Sequence, residues 1–511
     1  MYSKVLSGGI HGIESYLAQV EVDASRGMPG FDMVGLLGSE VREARERVRV
    51  ALKNTDFPLP VKRITVNISP ADIRKEGAAF DLAIAVGILV STEVLSEEIL
   101  ADTLFIGELG LNGEVKPVKG VLPIMIMAKE KGIGCCILPE ENALEGAVIE
   151  GIKVVGVKTL EETIHYLQLE KEHRDQFLPP TLLDGQLLFS QNRKEQEPDF
   201  EDIRGQEMVK RAAVIAAAGF HHLLITGEPG TGKTMIARRI PSILPPLTME
   251  ESLEVSKIYS VSGLLKPGCP LVTGRPFLHP HHTISSQALI GGGRIPRPGM
   301  LSLSHRGVLF LDEFPEFGRE NIESLRQPLE DKEVQIARSY ASITYPADVM
   351  IVAAMNPCPC GFYPDRNRCH CTENEIKRYR NRISGPIYDR MDLSVEAKAL
   401  TIEALQKGMP GQSSSKMRKQ VMRARAMQEE RYRGTGFLFN ADLRAGDIER
   451  FCPLEKEEEA YMENLFVALG LSARAYHRLL KTARTIADLE ESEKIRKKHL
   501  SEAAAFRIWE S

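Results

Sequence analysis

The stretch His221–Ile240, HHLLITGEPGTGKTMIARRI, joins a short apolar run to Gly227-x-x-x-x-Gly232-Lys233-Thr234 and then to a helical pattern that stops near Pro241. Strand, glycine-rich turn and helix is the order that phosphate binding requires. Glycines let backbone N–H groups close around phosphate oxygens, and the start of the following helix adds positive potential. Gly227, Glu228, Pro229, Gly230, Thr231, Gly232, Lys233 and Thr234 are therefore read as a P-loop for ATP. In it Lys233 reaches the β- and γ-phosphates and Thr234 ligates Mg2+.

Such a loop needs a carboxylate for the metal and a group to orient water, and both are expected downstream. Gly307–Glu313, GVLFLDE, is an apolar strand ending in two acids. Asp312 can hold Mg2+ through water, and Glu313 can polarise the attacking water.

Working outward, 511 residues are too many for one core and fit two to four domains. Residues 1–168 alternate strand-like runs (YLAQVEVD, RITVNIS, GIKVVGV) with helical ones, an α+β or α/β pattern. Polar, proline-bearing residues 169–198 read as a linker. A second alternating block, 199–397, holds the P-loop, and 398–511 is almost wholly helical in period. The fold class is thus α/β, a parallel sheet between helices, with an N-terminal α+β domain and a C-terminal helical domain, which the resemblance given below implies is a lid.

Composition is that of a globular protein, 43% hydrophobic and 26% charged, and the net charge of −5 excludes a uniformly basic nucleic-acid coat. The longest apolar run, FDLAIAVGILV (Phe80–Val90), is too short for a bilayer and reads as a buried helix, so no membrane partner is expected. The start, MYSKVLSGG, lacks a secretory h-region. A cytoplasmic location with reduced thiols is the expectation.

At these residues the chain resembles the AAA+ ATPases. DFEDIRGQ (Asp199–Gln206) looks like the family's adenine-side box, which implies that Ile203 and Gly205 line the base. Asn356 matches the sensor-1 residue that aligns the lytic water. Arg390 in RISGPIYDRMDL matches the arginine finger of the helicase and chelatase branch, with Arg382 a weaker candidate, and Arg474 matches the sensor-2 arginine of the lid. A finger that reaches a neighbour's γ-phosphate implies a homo-oligomeric ring, six subunits being the family expectation.

The likeness narrows at Arg275–Phe317 and at LEDKEVQIARSYASITYPADVMIVAAMNP, which resemble the magnesium-chelatase-like AAA+ proteins of the YifB/ComM family over nearly the whole chain. Two insertions are implied, a loop near Ile284–Pro298 and a β-hairpin, VQIARSYASITY. In related rings such hairpins grip DNA, which makes Arg338, Arg294 and Arg297 the DNA-binding candidates; solvated hairpin tips are the alternative. The segment from Ile106 to Asn142 is similar to the Lon-type protease domain, an S5-domain-2-like fold. Against that family's pattern Ala78 stands at the serine nucleophile and Leu122 at the lysine, so no acyl-enzyme can form and the domain reads as an inactive scaffold or binding module.

Cys358, Cys360, Cys369 and Cys371 hold four of the eight cysteines within fourteen positions. They can supply four thiolates to one structural Zn2+, although C-x-C is tighter than the usual spacing. Reduced thiols packed in a loop and a redox role are the alternatives. Relatives with the same ATPase signature do not all keep these cysteines, so the metal is expected to be dispensable for catalysis, a staple beyond sensor 1. The basic stretch Lys416–Gly434 can contact phosphates or pack as a solvated helix, and Trp509 reads as a packing residue.

The expected activity is a ring-forming ATP hydrolase that moves on DNA, as the helicases promoting branch migration in competence do in this family. A chelatase motor subunit and a protein-remodelling regulator are the rivals. Neither an acidic von Willebrand-type docking domain nor a long acidic linker is visible to favour the chelatase.

Overall fold

A computed structural model describes residues 1–184, 198–266, 268–338, 341–399 and 411–507. The end of the expected linker (185–197), residues 407–410 of the break before the tail, and Trp509 lie outside the described residues. The chain forms two compact units. Unit 1 comprises Met1–Lys194, Thr248–Thr273 and Ala337–Thr344; unit 2 comprises Glu195–Leu247, Gly274–Ile336 and Tyr345–Ser511.

In unit 1, long strands with one face buried and one partly exposed alternate in sequence, as in YSKVLSGGIH and ESYLAQVEVDAS, and pair antiparallel from Tyr2↔Asp23 to His11↔Glu14. They lie inside a seven-stranded sheet whose order is Gly30–Val34, Arg63–Ser69, Glu14–Ser25, Tyr2–His11, Thr103–Phe105, Cys135–Pro139, Lys153–Val157. The last four strands run parallel. The helix Asp81–Ser91 is buried along its whole length, which bears out the reading of FDLAIAVGILV as a core helix. Among the described residues no helix is long and apolar enough to cross a membrane.

That helix begins with a buried acid. Asp81 accepts from Arg47 Nε at 2.6 Å, from Arg47 Nη2 at 3.0 Å and from the Leu109 N–H at 3.2 Å. Leu122 lies fully buried in the helix Val121–Glu130, and its N–H donates to Glu145 Oε1 at 2.9 Å. The helix Met249–Ser262, started by a Thr248/Glu251 capping box, is anchored here as well. Ser260 Oγ donates to Glu145 Oε1 at 2.5 Å, and the Ser260 carbonyl accepts from the Gly120 N–H at 3.1 Å. Thus residues 248–273 and 337–344, from inside the block expected over 199–397, cluster with unit 1.

Unit 2 is built on a five-stranded parallel sheet in the order Phe277–Leu278, Val308–Leu311, Met350–Met355, Leu223–Gly227, Leu393–Ala397. Its central strands, LLITG, VLFL and MIVAAM, are buried at every residue, as parallel strands covered on both faces must be. The helices Glu207–Gly219, Ser414–Arg431 and Ala473–Leu489 share its core. The strand Met350–Met355 lies between the P-loop strand and the Asp312 strand, with Thr226 opposite Met355 and Leu311 opposite Ala353. Three strands therefore deliver their following residues to one edge of the sheet, where ligands of open α/β sheets bind.

Candidate nucleotide site

Gly232 caps the helix Lys233–Ala237 with φ +86°, a left-handed backbone that glycine adopts without strain. A Cβ at Gly232 would meet nothing within 4 Å, so space is open beside this residue. Lys233 Nζ folds back and donates to the Gly227 carbonyl at 2.7 Å, the Glu228 carbonyl at 2.9 Å and Asn356 Oδ1 at 3.1 Å. Burial lowers its pKa, and the Asp312 and Glu313 carboxylates oppose that shift. All three ammonium protons rest on neutral oxygens that a phosphate can replace.

Thr234 Oγ1 donates to Asp312 Oδ2 at 2.7 Å, the hydroxyl–carboxylate pair that a hard divalent cation uses in such sites. Asp312 Oδ1 accepts from the Glu313 N–H at 3.0 Å. Glu313 has φ +52° and ψ +46°, a left-handed conformation costly for a side chain with a Cβ, of the sort that persists where surrounding structure enforces it for function. Its Oε2 stands 3.2 Å from His282 Nδ1. The structure thus gathers Lys233, Thr234, Asp312, Glu313 and Asn356.

In the stretch expected to line the base, Ile203 is buried and Gly205 has φ +61°. Gln206 Nε2 donates to the Thr231 carbonyl at 3.2 Å and to the Lys398 carbonyl at 2.6 Å, tying the box to the loop. The sequence reading did not assign Gln206 or His282. The HPHH run at 279–282 offered a clue, since histidines beside a strand that pairs with the Asp312 strand lie near its acids.

The arginines assemble elsewhere. Arg390 is 4% exposed and pairs with Glu330 at 2.8 Å, while donating to the Pro386 carbonyl at 2.6 Å. Exposed Arg474 approaches the same carboxylate at 3.6 Å, and Arg382 pairs with Glu316 at 2.6 Å. Glu330 thus stands between the expected finger and the expected sensor. Arg294 and Arg297 are exposed, Arg297 in a two-strand ribbon of Gly291–Gly292 with Arg297–Pro298. The side chain of Arg338 and residues 339–340 lie outside the described part.

The basic stretch forms the helix Ser414–Arg431, and it packs inward through Met417, Val421 and Ala424. Arg431 pairs with Asp488 at 2.5 Å, Arg423 with Glu491 at 3.0 Å, and Arg425 with Glu429 at 3.2 Å. Several of its charges are therefore already matched, which favours the packing alternative. Beyond Asn356, the four cysteines form a cluster that could hold a metal ion.

Residues 199–405 match the family described as magnesium chelatase, subunit ChlI; residues 20–142 match subunit ChlI of Mg-chelatase, and residues 411–507 its C-terminal region. The chain is 42% identical over 509 residues to the competence protein ComM of Haemophilus influenzae, covering 98% of this chain and 97% of that protein. It is 41% identical over 497 residues to the YifB protein of Escherichia coli, covering 97% and 95%. It is also 27% identical over 226 residues to the magnesium-chelatase 67 kDa subunit of Heliobacterium mobile, covering 38% and 34%. The chain belongs to the magnesium-chelatase-like AAA+ ATPase family, YifB/ComM type.

Proposed function

From that membership, we propose that this chain is a ring-forming AAA+ ATPase that couples ATP hydrolysis to remodelling of DNA, acting as a helicase motor of branch migration in the cytoplasm. The observation that carries the ATPase reading is the meeting of Lys233 with Asn356 and of Thr234 with Asp312 at one sheet edge. Bound Mg·ATP supplies an electrophilic γ-phosphorus and a divalent charge. Lys233 exchanges its carbonyl partners for phosphate oxygens, and the loop amides hold the remainder. Thr234 and Asp312 would hold Mg2+. Glu313 takes a proton from the attacking water, with His282 orienting its carboxylate, and Asn356 positions that water. Ile203 and Gly205 flank the base.

In the assembled ring Arg390, released from Glu330, serves the neighbouring subunit's nucleotide, and Arg474 acts from a C-terminal helical lid over 398–511. The N-terminal domain, 1–168, is S5-domain-2-like and catalytically blank, joined by the 169–198 linker to the ATPase core at 199–397. Two observations favour DNA as the remodelled partner: a relative of nearly equal length is named for competence, and Arg294 and Arg297 are exposed on an insertion. A second reading, a chelatase-type motor acting on a protein partner, draws on the family's name and the Heliobacterium mobile relative. ATP turnover measured with and without forked DNA, across protein concentrations, tests both. Stimulation of several-fold that rises with assembly is expected; stimulation by a protein partner alone would transfer the reading to the chelatase type.

A further inference from the structure

We propose that Cys358, Cys360, Cys369 and Cys371 bind one Zn2+, and that the loaded cysteine knuckle braces the phosphate loop so that nucleotide affinity depends on the metal. The four Sγ atoms lie within 4.8 Å of one another. Cys358 and Cys360 are 3.3 Å apart, and Cys358 and Cys369 are 3.7 Å apart. A disulfide would set two sulfurs about 2.05 Å apart. Four thiolates about 2.3 Å from one tetrahedral Zn2+ stand roughly 3.8 Å from each other, which these sulfurs approach.

The surroundings suit a charged tetrathiolate. The Tyr363 N–H donates to Cys358 Sγ at 3.4 Å, an outer contact that fixes a thiolate ligand. A Zn2+ with four thiolates carries a net charge of −2, and three guanidinium groups stand over rings of the same loop, two of them also paired with carboxylates, Arg366 with Glu373 and Arg368 with Glu228. Arg368 lies 4.0 Å from the Phe362 ring, and Arg366 and Arg380 lie 5.0 and 5.4 Å from that of Tyr363. Among the described residues the knuckle's own buried cluster is Cys358, Cys369 and Ile376, with half-buried Cys360, Phe362, Tyr363 and Cys371 packed on it. So small an apolar core does not order a loop, and a metal supplies what is missing.

Two contacts carry that order to the P-loop. The Gly361 backbone lies so close to Pro229 that a Cβ would sit 2.5 Å from Pro229 Cδ, and 3.9 Å from Asn356 Cγ. Arg368 Nη1 pairs with Glu228 Oε2 at 2.8 Å. Glu228 and Pro229 belong to the loop, and the Glu228 carbonyl receives the Lys233 ammonium. The knuckle also begins two residues after Asn356, another partner of Lys233. A staple dispensable for catalysis, as the sequence suggests, would need no such contacts.

The brace rests on the nucleotide reading of the P-loop; the metal site does not. The test uses the full chain purified without chelator, with zinc counted by mass spectrometry and thiols by titration. A fluorescent ATP analogue is then bound to the loaded, the metal-stripped and the reloaded protein, and to Arg368→Ala. Expected are about one zinc per chain, lost in Cys358→Ser and Cys369→Ser, and a Kd weakened on the order of tenfold by stripping and restored by Zn2+. Arg368→Ala should keep its zinc and lose up to about fivefold in affinity, the weight of one exposed ion pair. Less than about 0.2 zinc per chain with four free thiols would overturn the metal site. Equal affinity with and without bound zinc would overturn the brace. A zinc-loaded chain that binds no analogue would sink the brace through the nucleotide reading, and the zinc count tells that failure from the first.

Discussion

Lys233 in unit 2 and Lys75 in unit 1 are both buried lysines in glycine-containing loops, and in both burial lowers the ammonium's pKa. Their partners differ. Lys233 rests on two loop carbonyls and an asparagine, with open space over Gly232. Lys75 donates to the Ile73 carbonyl at 2.8 Å and lies 6.0 Å from the ring of Tyr16, whose hydroxyl is buried without a hydrogen-bond partner. Nearby in sequence, Ala78 offers no hydroxyl to activate. A buried lysine becomes a reagent when its contacts are exchangeable and a ligand can enter; otherwise it closes a turn.

The sharpest way to break this contrast is to remove each lysine. Lys233→Ala should lower ATP turnover by about 10³-fold through loss of preorganised charge, whereas Lys75→Met should leave it unchanged. A steady-state phosphate-release assay reads both, and equal losses would end the distinction.

The acidic partners sharpen it further. Arg47→Ala leaves Asp81 buried and unpaired and should cost unit 1 about 3 kcal/mol in chemical denaturation. Glu313→Gln should keep nucleotide binding yet lose at least about 10²-fold in turnover; near-normal turnover would misplace the base.

A pH series separates Asp81 from a reacting acid. Burial pushes its carboxyl up to about 6, against the lowering by Arg47. The folded chain thus holds this proton more tightly than the unfolded one, so the contribution is full below the ordinary value of 3.8 and is lost as pH rises through about 6. From pH 7 to pH 4 the wild-type chain should gain stability relative to Asp81→Asn; a constant difference would refute the assignment. The smallest effect is expected at His282→Ala, about fivefold in turnover, the weight of one hydrogen bond of roughly 1 kcal/mol.

The nucleotide loop was legible because its chemistry is local: one strand, one turn and one helix start carry Gly227 to Thr234. Asp312 and Asn356 were legible as polar residues ending apolar strands. Their neighbours were not, because topology alone supplies them. His282 reaches Glu313 through the pairing of Phe277–Leu278 with Val308–Leu309, and Arg368 meets Glu228 across 140 residues. The helix Met249–Ser262 announces its start through Thr248 and Glu251, but nothing in its composition says which sheet it joins. Arg390 and Arg474 match a pattern in sequence, yet their common partner Glu330 has no signature there.

The membership of residues 248–273 in unit 1 has a practical consequence for anyone dividing this chain. Leu271 is buried in that unit's core, with Met249 and Leu253 packed on the same cluster. An excised fragment ending in the linker would lack all three and bare the apolar side of Val121–Glu130 to water. Recombinant pieces cut there should be sticky and poorly soluble, and grafting a homologue's N-terminal half would need three crossover segments exchanged together.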